Sequence, residues 1–173
     1  MRGDATLQTR LLLRGDGLAG LVVVAGGITG LIAAASPWYT ALARVSMLGA
    51  DEDRVVASSA GVPGSALGWC VLVLALVMIG VGITVAVDRP PAHARSTLAV
   101  TALAAAGAAT AGLVLAPEAG AIAGEDATAL LALRDRLPVG IELELVVARG
   151  RGAWLALASA AAAAVGAMGA RGR

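Results

Sequence analysis

Four uncharged apolar stretches alternate with polar segments along this chain, and the pattern predicts four membrane-crossing helices over 17–36, 66–87, 96–116 and 152–170. The strongest, ALGWCVLVLALVMIGVGITVAV, has no charge before Asp88. At about 1.5 Å per helical residue it reaches about 33 Å, against about 30 Å for a bilayer core. In lipid a helix satisfies its own backbone groups, so such a stretch reads as a transmembrane helix. The third stretch is richer in Ala and Thr. The last, GAWLALASAAAAAVGAMGA, is the weakest, because alanine contributes little transfer energy and needs neighbours to pack on. The first resembles a signal peptide in having a basic lead and AAAS at its end, but its apolar run is long for one and it is read as a span.

Between the spans lie one short connection, 88–95, where Pro90 and Pro91 stop the second helix, and two long ones, 37–65 and 117–151. In the first long connection, 40–48 partly alternates apolar with polar and 54–58 carries Val55 and Val56. Asp51, Glu52 and Asp53 stand between them beside Gly49, as in a hairpin turn. Three adjacent acids lack the alternate-residue spacing of a calcium loop, so a solvated turn is expected. In the second, EDATALLALRDRL (125–137) is acidic at its start, basic near its end and stopped by Pro138, the marks of a short helix. GIELELVVA (140–148) alternates cleanly, with Ile141, Leu143 and Leu145 on one face and Glu142 and Glu144 on the other. An isolated strand is unstable, which predicts a small sheet pairing both long connections. The fold class is therefore an all-α four-helix transmembrane bundle, one integral membrane domain over 1–173. A small extracytoplasmic β-sheet and short-helix cap forms from the two outer loops.

Composition sharpens this picture. Of 173 residues, 58% are hydrophobic and only 14% charged, outside the soluble balance. A net charge of +1 argues against a nucleic-acid partner and a polybasic membrane-surface protein. All 13 basic residues are Arg, and Lys, Phe and Asn are absent, as strong GC bias in codons would give. The single Cys70 permits no intramolecular disulfide and no multi-thiolate zinc site, and the lone His93 sits in a Pro-containing loop where a solvated side chain is expected.

Orientation follows from the arginines. With the N-terminus inside, segments 1–16, 88–95 and 171–173 hold seven Arg and three acids in 27 residues. Segments 37–65 and 117–151 hold six Arg and nine acids in 64. Both termini are expected in the cytoplasm, although Arg149 and Arg151 argue the other way. The aromatics are Trp38, Tyr39, Trp69 and Trp154, each at the outer end of a span, and they read as interface anchors in the headgroup layer. A one-sided Trp cluster would also suit the floor of a pocket for an apolar or aromatic ligand.

Chemistry is sparse. No Asp, Glu, Lys, Arg or His lies inside any predicted span, which argues against ion-coupled transport. Thr29, Thr84 and Thr110 are expected to bond back to their own helices. No histidine in the outer loops activates a nucleophile, and strand alternation accounts for Glu142 and Glu144. No catalytic, cofactor-binding or metal-ligating residues are assigned, and no cofactor is expected. Gly26 and Gly30 form a GxxxG and read as helix packing within the bundle, with homo-oligomerisation the alternative.

GLIAAASPWYTA leaving the first span, GVPGSALGWCVLVLALVMIGVGI entering the second and RGAWLALASAAAAAVGAMGA at the last resemble the actinobacterial tryptophan-operon-associated transmembrane proteins. That resemblance implies a four-span protein of a GC-rich actinobacterium; the family has no established activity and supplies no catalytic residues to carry over. The layout is also similar to claudin-type four-span proteins, whose first-loop cysteine pair is missing here. The expected role is a non-enzymatic membrane protein of the cytoplasmic membrane. Its expected contacts are the lipid bilayer and, through the outer cap, a membrane or extracytoplasmic protein partner. A small carrier or binding subunit for an apolar or aromatic molecule is the alternative.

Overall fold

A computed structural model describes residues 15–47, 50–87, 93–134 and 136–169. Its elements are α1 (Gly15–Ala35), β1 (Pro37–Met47), β2 (Ala50–Ala60), α2 (Ala66–Ala86), α3 (Ala94–Val114), α4 (Ala119–Ala123), α5 (Glu125–Arg134), β3 (Ile141–Arg149) and α6 (Arg151–Gly169). The expectations for Gly49, for Pro90 and Pro91, and for the arginines of the first 14 and last four residues lie outside the described residues.

The helices α1, α2, α3 and α6 are long and apolar enough to cross a membrane, so the chain has the form of a multi-pass membrane protein. Their ends fall within two residues of the predicted spans. α1 packs between α2 and α6, and α3 closes the four-helix arrangement against α6 and α2. Lipid supplies no hydrophobic drive for helix pairing, so close van der Waals contact must hold the bundle. Small residues provide it. A Cβ on Gly26 would fall 2.5 Å from the Ala162 Cβ of α6, and one on Gly30 would fall 2.8 Å from Ser159 Oγ. Gly26 and Gly30 thus lie at an internal seam. Gly20 and Gly27 make the corresponding approach to α2. Val23, Met78, Leu98 and Ala163 fill the bundle centre, while Leu21, Ile28, Leu76, Ile83, Leu103 and Val165 face outward. Thr29 Oγ1 and Thr84 Oγ1 donate to Ala25 O and Val81 O of their own helices.

Chain direction changes at small or proline-marked joints. Pro37 cannot continue α1 and disfavours helical backbone before it, so β1 starts after Ser36 alone. Ser65 caps α2, its Oγ accepting from Gly68 N–H at 3.0 Å. Gly124 (φ +57°) separates α4 from α5, and Gly140 (φ +99°) turns the chain into β3.

The sheet is antiparallel, in the order β2–β1–β3, and so pairs both long connections. It departs from the expected layout in three respects. The strands of the first pair are longer, each running 11 residues, while β3 keeps its expected length. Asp51, Glu52 and Asp53 stand inside β2, not in a turn, because a sheet edge tolerates charge on either face. The helix expected over 125–137 ends at Arg134, ahead of the residue that Pro138 constrains, and the five-residue α4 precedes it.

Opposite partners share a face, which gives the sheet two characters. One face sets Ala41 between Ala57 and Val147, and Ala43 between Arg54 at the β2 edge and Leu145. Ala123 of α4 and Ala127 of α5 pack onto it. The other face carries two polar rows. Arg44 stands between Asp53 and Glu144, and Ser46 between Asp51 and Glu142.

Candidate functional site

The sheet joins the bundle through Trp38. Its side chain is 1% exposed, and its Nε1–H donates to Ala33 O at 2.9 Å. The indole fits because three other segments present glycines to it. A Cβ would fall 2.6 Å from Nε1 at Gly61 and 2.5 Å from Cζ3 at Gly112, and one at Gly152 would collide with Cδ1. Ala34, Val71, Ala109 and Ala156 complete this layer.

Tyr39, one residue on, is also buried, and its hydroxyl donates to Gly112 O at 2.6 Å. Burial pushes the phenol above its ordinary value, and the nearby Arg149 guanidinium acts in the opposite direction. Arg149 Nε–H donates to Leu113 O at 2.7 Å. The last carbonyls of a helix lack intrahelical partners. Here β1 and β3 supply two of them for α3, a guanidinium among them at the negative end of the helix dipole. Val62 N–H likewise donates to Ala34 O at the end of α1, and Gly150 N–H to Trp38 O. Among the described residues, no buried side-chain nitrogen or oxygen lacks a partner.

This placement corrects the expectation for two of the four aromatics. Trp38 and Tyr39 are core residues of the junction, because they stand at the start of β1, where the sheet meets the bundle. Trp69 and Trp154, 50% and 59% exposed in the first turns of α2 and α6, lie on the outside at the sheet end. The three tryptophans therefore do not line one pocket floor. Trp69 instead borders an open groove between α2 and α3 with Cys70, Val73 and Gly107.

Above the junction, the open sheet face holds four carboxylates, Asp51, Asp53, Glu142 and Glu144, around one guanidinium. Arg44 Nε–H donates to Asp53 Oδ1 at 2.8 Å and its Nη2–H to Oδ2 at 3.1 Å. This fork holds the Asp53 carboxyl below its ordinary value and raises Arg44, on which Asp51 and Glu144 act in the same direction. Val55, 63% exposed, borders these rows. At the β3 side, Leu131 and Arg134 of α5 and residues 141–145 line a groove of about 630 Å³. Among the described residues, His, Cys, Asp and Glu do not gather in a group suited to a metal ion.

The sequence pattern anticipated Glu142 and Glu144 on a strand face but missed their alignment with Arg44, Asp51 and Asp53, which depends on register. It also missed the capping by Tyr39 and Arg149. What the site offers is a charged, solvent-facing platform fixed to a packed junction. No protein-family model and no curated protein matches this chain.

Proposed function

We propose that this protein is a non-enzymatic accessory subunit of the cytoplasmic membrane, with both termini inside, that engages a protein partner through an extracytoplasmic cap. The open sheet face carries this reading: four carboxylates and one arginine on a surface anchored to the bundle through Trp38, Tyr39 and Arg149. Such a field selects a partner surface rich in Lys or Arg and speeds its encounter. The three successive acids on the β2 edge oppose pairing with the same edge of a second copy. Orientation rests on the distribution of arginine. The burial of Trp38 removes the main support for a carrier of aromatic ligands.

A photo-cross-linking amino acid at Val55, introduced in cells at native abundance, tests the reading. A discrete protein adduct is expected, weakened by Asp51→Asn combined with Glu144→Gln. Recovery of the uncross-linked chain alone, with the probe shown to be photoactive, would overturn it.

A further inference from the structure

We propose that the groove between α3 and α6 holds one acyl chain of an anionic phospholipid, with the lipid phosphate on Arg95. This groove has a volume of about 560 Å³. Along α3 its lining runs from Arg95 through Ala99 and Leu103 to Ala106, and along α6 from Met168 back to Leu157. Eleven helical steps at about 1.5 Å give about 16 Å, close to half of a hydrocarbon core of about 30 Å. The groove therefore has the depth of one leaflet, the one remote from the sheet. It is apolar along its length and has a cation at its mouth, the polarity of a phospholipid.

The head-group end has the matching charge. Arg95 is exposed, and among the described residues no carboxylate pairs with it. It lies in the first turn of α3, whose N-cap residue His93 makes no side-chain capping bond, so the positive end of the helix dipole points the same way. A second groove, between α2 and α3, provides a comparison. It measures about 620 Å³, lies in the half nearer the sheet, and has no charged residue in its lining. That groove can accept a chain but has no means to select a head group.

The test titrates delipidated full-length protein in detergent with phosphatidylglycerol or phosphatidylcholine of identical chains, read by native mass spectrometry. The first phosphatidylglycerol is expected to bind about fivefold tighter than phosphatidylcholine, as one guanidinium at a membrane surface gives. Arg95→Gln should equalise the two lipids, and Arg95→Lys should retain the preference. Ala99→Leu with Ala161→Leu, both at exposed lining positions, should reduce retention of either lipid at this site. Equal binding of the two lipids by the unsubstituted protein would overturn the proposal, as ordinary annular lipid would behave that way. So would a preference that survives Arg95→Gln, or a lipid-free dimer whose interface is lost in the leucine variant. Should the leucine pair impair folding, the Arg95 series alone decides.

Discussion

Tyr39 and Arg149 face each other across β1 and β3 and cap successive carbonyls of α3, those of Gly112 and Leu113. One cross-strand pair thus ties the sheet to a helix that neither strand adjoins in sequence. Tyr39→Phe leaves the Gly112 carbonyl without its donor in a buried place, which should cost about 1–3 kcal/mol. Arg149→Met removes an exposed donor and should cost less, about 0.5–1 kcal/mol after solvent screening. Because the two share one helix end, a double-mutant cycle should show coupling above about 0.5 kcal/mol. Denaturation in micelles, followed by tryptophan emission, measures each term. Strict additivity would mean that the two caps act independently.

The glycines of α3 should divide by what surrounds them. Gly112→Ala drives a methyl group into the Trp38 ring and should destabilise by about 1–3 kcal/mol. Gly107 stands in the same helix with nothing within 4 Å of the position its Cβ would take. There Ala removes the backbone entropy penalty of glycine and should be neutral or stabilising by up to about 1 kcal/mol. The same denaturation assay ranks the two, and equal effects would contradict the packing of Trp38.

The Arg44–Asp53 pair makes the cap sensitive to acid in a defined direction. Asp53 titrates lower in the folded cap than in the unfolded chain, first because the Arg44 side chain hydrogen-bonds its carboxylate. The pair's contribution is therefore present above the unfolded carboxylate value and is lost as pH falls through the lowered folded value. Both groups face solvent, so the effect is small and salt-sensitive. Carboxyl carbon shifts of Asp53 should show a depressed midpoint that rises in Arg44→Gln. An unmoved midpoint would show that the ion pair does not persist in solution.

The spans were legible because an uncharged run of about 20 residues has few alternatives, and β3 because its alternation is strict. The position of Trp38 was not legible. It stands at a span end just as Trp69 and Trp154 do, and what distinguishes it is Gly61, Gly112 and Gly152, contributed by three distant segments. Arg149 counted against the orientation when read as a charge near a span, yet its guanidinium serves α3. The acids of β2 looked like a turn because charge on both faces marks an edge strand as well as a loop. α4, AGAIA, has too few residues to announce a helix.

That difference among the tryptophans is measurable. In single-tryptophan variants reconstituted with brominated lipids, Trp69 and Trp154 should be quenched strongly, since each is about half exposed at a helix start. Trp38, enclosed by the junction, should be quenched weakly and emit to the blue in detergent as well as in lipid. Strong quenching of Trp38 would return it to the bilayer interface and undo the account of the junction.

Orientation is settled by accessibility. In a Cys70→Ser background, single cysteines at Ser58 and Glu142 report the sheet, where both positions are exposed, and one at Ala92 reports the opposite end of the sequence layout. A membrane-impermeant maleimide applied to intact cells should label Ser58→Cys and Glu142→Cys, and should label Ala92→Cys only after lysis. The arginine distribution predicts this order, because arginine-dense segments are retained on the cytoplasmic side. Arg149 weighs little against it, because its guanidinium donates to a carbonyl at the negative end of the α3 dipole, which leaves Arg151 as the charge on the other side of the argument. The reverse labelling would place the four carboxylates of the sheet in the cytoplasm. The partner with a basic surface would then be cytosolic, and Arg95 would meet the outer leaflet, where an anionic lipid would have to be sought instead.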